Sequence, residues 1–304
     1  LGAAYRLLEP GKNFKITIIE KEQTVGGIAG RWEINWDGKE YFIEKGYHHI
    51  LDGDKTTMDF VKKLGLGDKL HFKAVKQGFV YKGKAYGFST PLEILQFPVS
   101  IIDKIKLAKF SLLDTKRKDW GPLEKTTAKD WVIKIAGQNN YETFFERLIW
   151  NKFHILPDEI SAPWLGTRLA KESSSFMRKF GWLEGGESSV LYKLAEYLKE
   201  HGVKIFTGAN IYKIENSEKK KRIYFMNGTK QEVIEADAVV STIAPRVFLK
   251  LAPNISKEIK DKMEKIKYLS CSCLTVGLNK KFTDRYWINI LEKDVPVSAI
   301  FCRS

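Results

Sequence analysis

Apolar and polar positions along the chain change rhythm more than once, and each change marks a different kind of structure. The opening run LGAAYRLL spaces its apolar residues as a helix does, and the helix is expected to stop at Gly11. Lys15 to Ile19 then reads as a strand. Beyond a glycine-bearing loop, the alternation in WEINWDGKEYFIE predicts a hairpin turning at Asp37-Gly38. From Thr56 to about Arg178 the period is helical, in TMDFVKKLGLG, TAKDWVIKIAG, NNYETFFERLIWNKF and ISAPWLGTRLAKE. Thr127, with Asp130 three residues on, marks the start of the second of these helices, and Gly137 marks its end. Phe79 to Phe88 interrupts the block as a short hairpin with Lys82-Gly83 at its tip.

At Gly185 the pattern returns to mixed helix and strand. Ser188 to His201 forms an amphipathic helix closed by Gly202, and strands are expected at Val203 to Thr207 and Ile211 to Glu215. A hairpin and a strand at Ala238 to Thr242 follow. Past Pro245 come a helix over Lys257 to Ile266 and the alternating runs YLSCSCLTVGL, YWINIL and VPVSAIF, read as strands that rejoin the sheet of the helical block.

Composition narrows the options. With 304 residues and 43% apolar content the chain can bury a sizeable core. The net charge of +14 comes from 51 basic residues scattered among 37 acidic ones, without the clustered arm of a nucleic-acid binder. The one dense basic run, Lys219 to Arg222, falls between two strands and reads as a charged hairpin. No apolar run reaches the length of a membrane span and no signal-peptide order is visible, so a cytoplasmic chain is expected. Cys271 and Cys273 read as alternation in a strand, and no metal site is expected. With no initiator Met, a helix at the first residue and a strand at the last, the chain reads as a fragment open at both ends.

The chemistry is concentrated in ITIIEKEQTVGGIAGRW. In a dinucleotide-binding β-α-β unit the second strand ends in a carboxylate that binds a ribose hydroxyl, and Glu20 occupies that place. Gly26 and Gly27 let backbone pass close to a pyrophosphate, and Arg31 offers a fork of donors for phosphate oxygens.

With LGAAYRL before it, this stretch resembles the flavin-containing amine oxidase superfamily, which includes protoporphyrinogen oxidases, carotenoid desaturases and UDP-galactopyranose mutases. The family's GxGxxGL turn would end at Leu1, so the phosphate turn itself is missing. FIEKGYHHIL is similar to the family's segment beside the flavin ring, carried by Gly46, Tyr47, His48 and His49. GWLEGGESSVLYKLAEYLKEHGVKIFTGANIYKIE resembles the segment that leads to the adenine, with Ile211 as its backbone contact. EADAVVSTIAP, with Thr242 and Pro245, is similar to the strand and loop that close the site. Gly2 and Lys21 are counted with these cofactor contacts.

The resemblance implies FAD as cofactor and an α/β fold: a discontinuous Rossmann-like domain over residues 1–55 and 185–250, and a second α+β substrate domain over residues 56–184 and 251–304. It implies hydride transfer from an organic substrate of porphyrinogen, polyene or amine type to the flavin N5. The alternatives are a mutase of galactopyranose type and a flavin-free scaffold. His48 or His49 could tune the ring or accept a proton, with a packed structural role as the alternative. His154 and His201 lie at helix ends and carry no chemistry. Trp182, Gly185 and Gly186 are expected beside the substrate. Trp150, Phe153, Trp164, Phe180, Trp182, Tyr268 and Trp287 could line an apolar tunnel or simply pack a core. Residues 91–117 combine apolar residues at helical spacing with five cations, Lys104 to Arg117, and could rest on an anionic membrane and supply a lipophilic small molecule.

Overall fold

A computed structural model describes the chain apart from residues 10, 12, 47, 115–116, 154–156, 173–178, 218 and 303–304. It separates into two compact units. The first comprises Leu1–His49, Thr56–His71 and Trp182–Leu274, the second Ile50–Lys55, Phe72–Gly181 and Thr275–Ser304. Residues 56–71, 182–184 and 251–274, expected in the substrate domain, therefore group with the first unit, and residues 50–55, expected in the cofactor domain, group with the second.

In the first unit the strand Thr17–Ile19 pairs in parallel with Lys204–Phe206. The second of these follows the helix Ser188–Glu200, which buries Leu194, Ala195 and Leu198 and ends at Gly202 in the left-handed region. Glycine adopts that conformation without steric cost, so the chain can reverse there. Ala209–Asn216, Lys221–Asn227 and Lys230–Ala236 form an antiparallel meander. The basic run lies at its first turn, where Lys220 pairs with Asp237 and Arg222 with Glu235 across the strands. Arg31–Trp36 and Lys39–Glu44 make the hairpin, turning at Asp37 and Gly38, both at positive φ as a two-residue turn requires.

The second unit is built around aromatic rings. Its sheet runs Ala299–Phe301, Trp287–Ile290, Gln77–Tyr81, Lys84–Gly87, with the middle pair parallel, so the late strands do join the sheet of the helical block. Lys82 and Gly83 turn its hairpin. The helix Pro91–Gln96 packs on Lys84–Gly87, and Ile101–Lys109, Ala128–Ala136 and Ala162–Glu172 follow, each packed on the one before. Thr127 Oγ1 accepts from Asp130 N at 3.0 Å and caps the third of them. Phe97, only 1% exposed, is ringed by Phe79, Tyr81, Tyr86, Phe88 and Phe144 with centroids 4.9–6.1 Å away.

Two predicted strands are absent. Ala238 to Thr242 is irregular, and Val240 is 65% exposed. A strand is a pairing event, and among the described residues nothing forms a ladder with this segment. Residues 268–278 are likewise irregular, with Leu274 88% exposed, so Cys271 and Cys273 are exposed thiols in a loop rather than alternating strand positions. Among the described residues no helix is long and apolar enough to cross a membrane, and no His, Cys, Asp and Glu cluster is placed to hold a metal.

Candidate functional site

Four glycines shape one end of the first unit: Gly26, Gly27, Gly185 and Gly186 all sit at positive φ, from 56° to 119°. Their surroundings differ. A Cβ on Gly26 would lie 3.1 Å from Leu191 Cδ1 and 3.2 Å from Gly30 Cα, so this glycine lets the loop pack on the Ser188–Glu200 helix. A Cβ on Gly27 would meet nothing within 4 Å. The open backbone face therefore belongs to Gly27, while that of Gly26 is filled.

Arg31 ties the two glycine pairs together. Its Nη1 donates to the Gly185 carbonyl at 3.1 Å and its Nη2 to Glu33 Oε1 at 3.1 Å. The guanidinium lies 3.8 Å over the Phe42 ring and 5.0 Å from that of Tyr192. Part of the fork expected to face phosphate is thus spent on the Gly185 turn. Its Nε is buried, and no acceptor among the described residues reaches it.

A second tie comes from Glu44, buried at the end of the hairpin. Its Oε1 accepts from Glu187 N at 2.6 Å, at the positive end of the helix that begins at Ser188. Its Oε2 lies 3.8 Å from His48 Nδ1. Sequence reasoning passed over Glu44; the available signal was a carboxylate closing a strand whose neighbouring position faces inward. A Cβ on Gly46 would come within 3.3 Å of the His48 ring, so that ring lies on the glycine backbone. His49 is part-buried beside it, and Tyr47 lies outside the described residues.

Glu20 closes the first strand. Its Oε1 accepts from Glu22 N at 2.9 Å, and no donor among the described residues reaches Oε2. The loop beyond it is held by Glu22 O, which accepts from Gly208 N at 2.8 Å. Lys21 is exposed, as is Gly2 in the first helix.

The site thus gathers Glu20, Gly26, Gly27, Arg31, Gly46, His48, Gly185 and Gly186 through direct contacts or chain continuity. The remaining expected positions fall elsewhere in the same unit. Ile211 pairs with Phe225 beside a bulge in the ladder, the kind of irregularity that frees backbone at binding sites. Thr242 is exposed, and Pro245 begins the helix Pro245–Leu251. Trp182 is 45% exposed and lies 5.6 Å from His71, which in turn bonds Glu184 at 2.7 Å. His201 stacks on Tyr197 and its Nδ1 is 2.7 Å from the Tyr197 carbonyl; His154 lies outside the described residues.

The second unit holds a separate cavity of about 360 Å³. Trp164, Phe180 and Trp287 line it; Trp150, Trp182 and Tyr268 do not, and the side chain of Phe153 lies outside the described residues.

The family described as flavin containing amine oxidoreductase matches residues 1–299. No sequence among curated proteins matches. An oxidoreductase from Methanosarcina mazei superposes with a TM-score of 0.61 at 18% identity, covering 86% of this chain and 61% of its own. A protein from Exiguobacterium sp. 255-15 assigned as a protoporphyrinogen oxidase gives 0.65 at 16% identity, covering 97% of this chain and 68% of its own. The CLA-producing fatty acid isomerase from P. acnes gives 0.61 at 19% identity, with 86% and 60% covered. The chain thus spans about three fifths of two of these structures.

Proposed function

The chain belongs to the flavin containing amine oxidoreductase family, and we propose that it acts as an FAD-dependent oxidoreductase whose Rossmann-like cofactor lobe is the first unit. The observation that carries this is the pairing of an open backbone face at Gly27 with a buried Arg31 Nε that no acceptor among the described residues reaches, with the Glu20 carboxylate closing the strand before them. A dinucleotide offers a phosphate oxygen to the buried N–H, a ribose hydroxyl to the carboxylate, and a close approach at glycine.

In this reading Glu20 holds the ribose and Gly27 passes under the pyrophosphate. Bound FAD supplies the acceptor for a hydride leaving a substrate C–H bond toward the flavin N5. His48, braced by Gly46 and Glu44, fixes the loop beside the ring and can take up a proton; Gly185 and Gly186 shape the backbone near the substrate. Membership of an oxidoreductase family supports net redox chemistry over a mutase or a flavin-free scaffold.

The described part of segment 91–117, from which Lys116 is excluded, fits a peripheral membrane contact. Leu92, Leu95, Ile101, Ile102 and Ile105 are all more than half exposed, with Lys106 and Lys109 on the same stretch. Such a face suits the interface of an anionic bilayer, with the apolar residues in the headgroup boundary and the lysines at the phosphates. Sedimentation with vesicles checks it: binding that requires anionic lipid and is lost in Ile102→Glu supports the contact, and equal recovery with and without vesicles removes it.

Redox function is tested by anaerobic titration of the protein, expressed in its complete reading frame, with candidate reductants. Bleaching of the visible flavin bands that reverses with an electron acceptor is the expected result. Product formation with the flavin oxidised throughout and no acceptor consumed would overturn net oxidation.

A further inference from the structure

The cavity of the second unit carries its spare hydrogen-bonding capacity on one sheet face. Gln77 and Phe79 of one strand and Trp287 and Asn289 of its parallel neighbour line it, whereas Gly78 and Ile288 between them do not. Side chains alternate across a strand, so all four stand on the same face. The register sets Gln77 opposite Trp287 and Phe79 opposite Asn289, so each amide neighbours a ring. The rest of the wall is mostly apolar, with Phe88, Phe144 and Phe145 among its rings. At about 360 Å³ the cavity falls near the lower end of small-ligand pockets, which run from roughly 300 to 1,000 Å³.

The polar groups of the lining differ in what they have left to offer. Ser89 Oγ is used twice by the Gln77 backbone, accepting from its N–H at 2.6 Å and donating to its carbonyl at 3.2 Å. Lys104 Nζ donates to the Leu95 carbonyl at 2.6 Å, Lys152 is exposed, and both Ser111 and Arg168 are engaged by other groups of the chain. Asn289 is different. Its Oδ1 accepts from Trp287 Nε1 at 3.1 Å. An indole nitrogen only donates, so this contact fixes which end of the amide is the acceptor. The Nδ2 donors are left over, and among the described residues no acceptor reaches them. The Gln77 side-chain amide likewise makes no hydrogen bond among the described residues. An amide donor facing a ring-lined cavity is met by water or by an acceptor on a ligand. A hydrocarbon displaces the water and leaves the donor unmet, whereas a carbonyl oxygen takes the water's place. Neither amide carries charge, so nothing on this face offsets the dehydration of an ionised ligand.

We propose that this cavity binds an apolar, uncharged molecule whose carbonyl oxygen accepts from Asn289 Nδ2, with Gln77 as a second amide contact. That the molecule is also the substrate oxidised rests on the flavoenzyme reading above; that it binds here does not.

Equilibrium dialysis of the protein, in its complete reading frame, against naphthyl methyl ketone, ethylnaphthalene and naphthoate compares a carbonyl, a methylene and a carboxylate on one ring system. The ketone should bind about fivefold more tightly than the hydrocarbon, the size of one neutral hydrogen bond, and more tightly than naphthoate. Asn289→Leu should remove the ketone's advantage and leave ethylnaphthalene binding as before. Asn289→Asp keeps the acceptor for Trp287 and loses the donor, so it should show the same loss where Asn289→Leu does not fold. Ethylnaphthalene or naphthoate binding as tightly as the ketone would overturn the proposal, as would a ketone advantage that persists undiminished in a folded Asn289 variant. The probe series on the unaltered protein decides the matter alone if neither variant folds. Flavin absorbance in the same samples separates the two readings. A ketone preference in a protein that takes up no FAD sustains the cavity and removes the flavoenzyme; flavin bands without the preference do the reverse.

Discussion

The two units solve their packing differently. In the first, the deepest positions are mostly aliphatic, such as Val61, Leu198 and Ala209, and shape is set by backbone that only glycine tolerates. In the second, Phe97, Phe110 and Trp131 are almost fully buried, and shape is set by interlocking rings. The contrast teaches where each function can be read. A cofactor cradle made of backbone leaves a local mark in sequence, because a positive φ selects a residue type. A cavity made of side chains from Val75 to Asn289 leaves none, because any large apolar residue satisfies each position locally.

The contrast can be broken at several points. Trp131→Ala should cost the most, about 4 kcal/mol, since the ring is packed against Phe110 and Trp120 and leaves a cavity that cannot collapse. A denaturant midpoint that barely moves would show that the second unit does not depend on its rings. Gly26→Val should cost about 3 kcal/mol through backbone strain and overlap with Leu191, and should also lower flavin content.

Gly27→Ala sharpens the comparison, because the added methyl meets no protein atom. Its stability cost should be only about 1 kcal/mol, that of a left-handed alanine, while affinity for FAD falls by roughly tenfold or more. Equal flavin affinity in Gly27→Ala would mean that the open face is not where the pyrophosphate passes.

The smallest effect concerns pH. Burial pushes the Glu93 carboxyl up, but hydrogen bonds from Ser89 N and Arg285, with the guanidinium charge, outweigh it and hold the group below its ordinary value. A depressed acid contributes stability that is present above the unfolded-state value, about 4.3, and lost as pH falls through the folded one. Denaturant midpoints should therefore drop on acidification in the native chain. Glu93→Gln should flatten that component by about 1 kcal/mol.

Much of the local structure was legible in the sequence. Asp37-Gly38 and Lys82-Gly83 announce two-residue turns, and Thr127 with Gly137 brackets a helix, because caps and turns are chosen by neighbours in sequence. The strand end before Glu20 and the turn at Gly26-Gly27 were visible for the same reason. The expected strand at Ala238 to Thr242 failed because its run of strand-favouring residues has no ladder to join among the described residues, and residue type alone does not make a pair. Arg31 shows a third case. Its residue type invited a phosphate role, but Gly185, 154 positions away, claims part of its fork, and that contact exists only once the unit has folded. Glu44, whose amide partner Glu187 lies 143 positions away, is of the same kind.

The visible absorption spectrum of the purified protein, expressed in its complete reading frame and titrated with FAD, tests the cofactor site most directly. The account predicts two flavin bands at a stoichiometry of one FAD per chain, weakened by Glu20→Ala and by Gly27→Ala without loss of fold. A folded, colourless protein that takes up no FAD would contradict it.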